Sequence, residues 1–121
     1  MDVKNIFIKE TSDNLAVLEQ ELVALVQPSK RALEIVIRTM HNIKGTAPMV
    51  GYNTLPIIAQ PIEKAYNKAL SSGEDIDHTM VDKTIHAVSI LKDLLISEEA
   101  HTPQTKEEQK VLVDYFNSIN G

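Results

Sequence analysis

His41 stands three residues before Lys44 and four before Gly45, and Gly51 follows ten residues after it, in the run HNIKGTAPMVG. These residue types at this spacing can support chemistry at a ring nitrogen. A neutral imidazole is a competent nucleophile near neutral pH, and a phosphoryl group taken onto it stays reactive enough to be passed on. Lys44 can set an ammonium beside the negative charge that such a group carries. Gly45 lacks the side chain that would block the flank of the ring. An exposed glycine inside a helix costs about 1 kcal/mol relative to alanine, so its presence asks for a compensating reason. Each residue has a plain alternative: a surface histidine, a lysine that solvates its helix, a glycine that eases a tight helix crossing. Their combination at one place favours a carrier site.

A helix must position these residues. Leu33, Val36, Ile37, Met40, Ile43, Ala47 and Val50 form one helical stripe. At about 100° per residue the stripe centres near Met40 and Val36 and leaves His41 facing solvent. Glu34, Ile37, Arg38, Lys44, Gly45 and Pro48 fall on neighbouring rows of the same surface. An earlier amphipathic stretch, 3–26, carries Ile8, Leu15, Leu18, Leu22 and Leu25 inward and ends at Pro28. Gly51 to Thr54 read as a turn, with Asn53 or Thr54 capping a third helix that buries Leu55, Ile58, Ile62, Ala65, Tyr66 and Ala69. Pro56 suits its first turn, whereas Pro61 deletes an interior hydrogen bond and predicts a bend or a late start. Residues 71–75 read as a loop. Asp77 can cap a fourth helix with Val81, Ile85, Val88, Leu91 and Leu95 inward, whose outer side is also apolar and suits either a seat for another helix or a dimer seam. Thr102 and Pro103 open a shorter fifth helix through Leu112, Tyr115, Phe116 and Ile119. The predicted fold is all-α: an antiparallel four-helix bundle over about 3–99, with an additional C-terminal helix over about 103–119 packed outside, in one domain spanning 1–121.

Composition agrees and narrows the function. The chain of 121 residues is 43% hydrophobic and 24% charged, enough for one modest core. With only three Tyr, two Phe and no Trp, that core must be built from aliphatic residues. The absence of cysteine removes disulfides, thiolate metal sites and thiol catalysis, and makes a reducing cytoplasm the default location. No apolar run approaches the roughly 20 residues that span a bilayer. A net charge of −5 without a basic cluster argues against nucleic acid and for a protein partner. There is neither a phosphate-cradling glycine loop nor an acidic metal-ligand set around His41, so no intrinsic cofactor is expected.

The residues Arg38, His41, Lys44, Gly45, Ala47, Gly51 and Leu55, followed by Ile62 and Glu63, resemble the histidine-containing phosphotransfer (HPt) domains of two-component systems and phosphorelays. The opening, Phe7 to Glu10 and then Asn14 to Leu22, is similar to the first helix of the phosphotransfer domain of chemotaxis histidine kinases. The resemblance implies a phosphocarrier rather than an enzyme, with His41 as phosphoacceptor, Lys44 holding the phosphoryl group and Gly45 giving a partner access. It implies that Glu63 hydrogen-bonds the other ring nitrogen; the alternative for Glu63 is an ordinary surface position. The neighbouring residues Ile37, Arg38, Gly45, Pro48 and Met49 are expected to form the partner-docking face, with Gln60 close by. The partners implied are a response-regulator receiver domain and a histidine kinase, through its catalytic domain or a hybrid receiver, with Mg²⁺ bound on the partner. Pro48 and Pro61 depart from the family pattern; they would release the carbonyls of Lys44 and Ile57 and bend both helices. The chain suits a free-standing relay protein or an excised kinase domain equally. Two other readings are a non-phosphorylated helical adaptor for a receiver or kinase domain, and a metal-binding bundle using His41, His78, His86 and His101. The second is weakened by the eight-residue separation of His78 and His86, too long for chelation from adjacent turns.

Overall fold

The stripes of apolar residues produce helices whose inward faces close on a single core. The computed structural model describes residues 2–23, 30–73, 76–96 and 103–120. Five helices make up nearly all of them: α1 (Val3–Val23), α2 (Lys30–Thr46), α3 (Leu55–Ser72), α4 (His78–Ile96) and α5 (Pro103–Asn120), with a 3₁₀ turn at Ala47–Val50. No strand occurs among the described residues. α1 packs on α2 and α4, α2 on α3, and α3 on α4, so the four form a ring around the core; α5 lies against α3 and α4 from outside. Tyr52 reaches the carbonyl of Leu95 and Tyr66 reaches Thr84, so α3 and α4 run in opposite directions.

The core follows the predicted stripes with local shifts. Leu15, Leu18 and Leu22 of α1 are buried, but Phe7 and Thr11 take the inward positions near its start, leaving Ile8 half-buried. Leu33, Val36, Met40, Ile43 and Ala47 are buried, with Ile37 and Val50 at the edge. α4 buries more than one stripe: Met80, Thr84, Ala87, Ile90 and Leu94 join Val81, Val88, Leu91 and Leu95. α5 rests mainly on α3 and less extensively on α4, with its Leu112 and Phe116 buried. Leu25, Val26, Pro28 and Thr102 lie outside the described residues.

Several boundaries differ from the expectation, each for a local reason. α2 stops at Thr46, so Pro48 falls in the first turn of the 3₁₀ segment, where a missing N–H is harmless, and does not bend α2. α3 starts at Leu55 and continues through the buried Pro61 to Ser72, so there is no late start. Ser71 and Ser72 belong to the helix rather than to a loop; Gly73 ends it in the left-handed conformation, φ 71°, donating to the Ala69 carbonyl at 3.0 Å. Thr54 occupies the cap position of α3 without a side-chain cap bond, and Asn53 precedes it. Pro56 removes one of the donors that a cap would satisfy. Asp77 caps α4 as predicted, its Oδ1 accepting from the Met80 N–H at 2.8 Å. α5 runs Pro103–Asn120, close to the expected 103–119, and at 18 residues it is no shorter than the 17-residue α2.

Gly51 sets the turn between α2 and α3. Its φ of 95° lies in the left-handed region, and behind it the Tyr52 N–H closes on the Ala47 carbonyl at 3.0 Å. Tyr52 thereby enters the core, its ring 5.6 Å from Phe7 and its hydroxyl donating to Leu95 O at 2.7 Å. Gly51→Ala should cost about 1–2 kcal/mol, the penalty of a left-handed backbone for a residue with a Cβ, read as a lowered urea midpoint.

Tyr66 is the largest fully buried side chain. Thr84 donates its hydroxyl proton to the Met80 carbonyl at 2.7 Å, so in the 2.6 Å contact between Tyr66 and Thr84 the phenol is the donor. Burial pushes the Tyr66 phenol from 10.0 up to about 12, with Tyr115 adding slightly. A raised folded-state value means that this stabilisation is complete below pH 10.0 and is lost between there and about 12, as the unfolded chain ionises first. The loss amounts to about 3 kcal/mol at 1.36 kcal/mol per unit. Urea denaturation across that alkaline range should show a fall in stability for the wild type that Tyr66→Phe reduces by this amount.

Candidate functional site

α2 and α3 lie side by side, and their facing edges bring together three polar side chains that are far apart in sequence. His41 is on the outer surface of α2 with 65% of its side chain accessible, and Glu63 of α3 is almost buried, with 9% accessible. Glu63 Oε2 lies 2.8 Å from His41 Nδ1, and Lys44 Nζ donates to Glu63 Oε1 at 2.6 Å. Both carboxylate oxygens are therefore committed, one to the ring and one to the ammonium. The surface alternative for Glu63 does not hold: the whole residue is 7% exposed, flanked in sequence by the buried Ile62.

The geometry fixes the chemistry of the ring. A carboxylate only accepts hydrogen bonds, so Nδ1 must carry the proton in its contact with Glu63. In the neutral ring Nε2 then holds the free lone pair. Nδ1 is tied to α3 while the ring as a whole remains open to solvent. Lys44, itself 38% accessible, balances the charge of the nearly buried carboxylate, which would be costly to leave unpaired. Its ammonium sits on Glu63, and it has three donors, two more than this contact uses.

The other predicted residues distribute around this centre. Gly45 is exposed, and a Cβ built on it meets no atom within 4 Å, so no tight helix crossing demands glycine there. Ile37 is half-buried at the edge of the core. Arg38 is exposed on the α1 side, lining a groove with Asn14, Val17 and Asn42, whereas Lys44 turns to α3. The two cations thus diverge from His41 in opposite directions. Pro48 and Met49 project from the 3₁₀ turn beyond the end of α2, Met49 being 82% exposed. Gln60 is exposed one turn before Glu63 and borders a groove between α3 and α5 with Ile57, Lys64 and Val113.

Sequence reasoning passed over Asn42, which lines both grooves between α1 and α2. It also passed over the exposed apolar start of α1, Val3 and Ile6, bordering one of those grooves. The approach of Val3 and Ile6 to Asn42 and Thr46 depends on how α1 lies across α2, which helical periodicity does not encode. Among the described residues, no three His, Asp or Glu side chains converge as metal ligands. His78 begins α4, exposed; His86 Nε2 lies 3.5 Å from Glu108 Oε2; His101 is outside the described residues. No helix among the described residues is long and apolar enough to cross a membrane.

Comparison with known proteins fits this arrangement. No curated protein and no solved structure matches the chain. The family model of the Hpt domain matches residues 2–102, which include α1 to α4 and all three polar side chains of the site. A match over most of its length places the chain in the Hpt domain family, the histidine phosphotransfer modules of phosphorelays.

Proposed function

We propose that the chain carries a phosphoryl group on Nε2 of His41, exchanging it with the aspartate of a response-regulator receiver domain or receiving it from a histidine kinase. The observation that carries this reading is the 2.8 Å contact of Glu63 with Nδ1 under an otherwise exposed ring. In the transfer, the Nε2 lone pair forms a bond to phosphorus as the bond to the aspartyl oxygen breaks, and the aspartate leaves as a carboxylate. The ring keeps its Nδ1 proton and gains positive charge, which the Glu63 carboxylate offsets. Lys44 turns one of its remaining donors to the phosphoryl oxygens without leaving Glu63. Mg²⁺ comes with the partner, where it neutralises the phosphoryl oxygens. The chain supplies the acceptor and its orientation, and the partner supplies the catalytic apparatus.

The open space around Gly45, next to the exposed Pro48 and Met49, gives a partner's active site room to approach the ring. Arg38 takes part in docking from the α1 side.

The direct test is intact mass after incubation with phosphorylated receiver domains and with autophosphorylating kinase domains. The protein should gain one acid-labile, base-stable phosphoryl group, and His41→Gln should gain none. A folded protein that binds a receiver yet stays unmodified by every donor would point to the adaptor reading instead. Glu63→Gln should slow transfer by roughly 10–100-fold, by analogy with the loss of groups that orient metal-binding histidines, while partner binding changes little. Gly45→Ala separates the two demands on that position. It should raise folding stability by up to about 1 kcal/mol and still weaken transfer, because the added methyl group meets the partner rather than the bundle. Equal transfer by Gly45→Ala would remove clearance as the reason for the glycine.

A further inference from the structure

α5 lies wholly beyond the residues that match the family, and it meets α3 where Pro61 interrupts the hydrogen bonding of that helix. Pro61 has no N–H, so the Ile57 carbonyl loses its helical donor. The turn thus weakened leads directly into Glu63, two residues on. The end of α5 braces α3 on both sides of that residue. Asn120 Nδ2 donates to the Pro61 carbonyl at 3.1 Å. One residue earlier, the Ile119 carbonyl accepts from Lys68 Nζ at 2.8 Å. Ile119 is in the last turn of α5, where carbonyls have no helical donor. Leu112 and Phe116, each 1% exposed, anchor the helix beneath these bonds.

The Asn120 amide is only half satisfied. Its Oδ1 is buried without a partner among the described residues. Rotating the amide would set that oxygen against the Pro61 carbonyl, so its orientation is determined. A hydrogen bond gained beside an acceptor left unpaired adds little net stability. What it does supply is register: it holds α5 at one position along α3, across the proline.

We infer that the end of α5 positions Glu63. Asn120, helped by Lys68, keeps the proline-weakened turn of α3 in the geometry that places Oε2 on His41 Nδ1, and so sets the protonation pattern of the ring. Its consequence for phosphoryl transfer rests on the carrier role of His41, whereas its effect on the ring exists without any phosphoryl group.

The experiment uses the full chain with Asn120→Ala, reading the ¹⁵N ring resonances of His41 in the unphosphorylated protein, the transfer rate from a phosphorylated receiver, and thermal unfolding. Thermal stability should stay close to that of the wild type, the share of His41 protonated at Nδ1 should fall, and transfer should slow by about fivefold, as for coupled neighbouring residues. In a Glu63→Ala background the same substitution should have no further effect on ring or rate. Lys68→Met, at an exposed position that folding tolerates, should shift the ring in the same direction by less. Unchanged His41 resonances in both variants would overturn the inference, as would an equal loss of rate with and without Glu63. A shifted ring in a protein that takes up no phosphoryl group would uphold the positioning role and remove the carrier role instead.

Discussion

A carboxylate that is nearly withdrawn from water must be satisfied on both oxygens, and Glu63 is satisfied by one hydrogen bond to His41 and one to Lys44. That constraint ties the two central helices together at a definite lateral register. The ammonium offsets the charge that burial would otherwise penalise, which lets the carboxylate remain an acceptor for Nδ1. The imidazole is thereby held at one nitrogen while the ring stays largely exposed. An exposed histidine without this contact would rotate among its rotamers and exchange its proton between two sites.

The bundle supports this contact by closing the connection between α2 and α3 tightly. α2 ends at Thr46, the 3₁₀ turn carries Pro48 and Met49 outward, and Gly51 turns the chain so that Tyr52 enters the core and α3 begins at Leu55. His41 and Lys44 are thus about one turn from the end of their helix, and Glu63 is two turns into the next. Tyr52 and Tyr66, bonded to Leu95 and to Thr84, fix α3 against α4 on the opposite side. α3 is held by α2, α4 and α5 together, which is consistent with an interior proline being tolerated there.

The helices and most of their inward faces were legible in the sequence because apolar periodicity directly encodes which side of a helix is buried. Solvent exposure of His41 followed from the same arithmetic. Glu63 was singled out by family resemblance, and its burial was not legible, since its neighbour Ile62 marks the stripe but not how far α2 covers the stripe's edge. The bond from Lys44 to Glu63 depends on the register between two helices, a quantity that no single-helix pattern contains. Boundaries were misjudged where a tertiary contact outweighed a local signal. Pro61 stays helical because it is packed, and Thr54 makes no side-chain cap bond in a first turn that already contains Pro56. The bounds of α5 were legible because Pro103 marks a helical first turn.

The central claim is that Glu63 reserves Nδ1 and leaves Nε2 to react. It is tested most directly by ¹⁵N and ³¹P NMR of the protein after phosphoryl transfer, locating the group on the His41 ring. The account predicts phosphorus coupled to Nε2 and a proton retained on Nδ1. A phosphoryl group on Nδ1, or on any other residue, would contradict it.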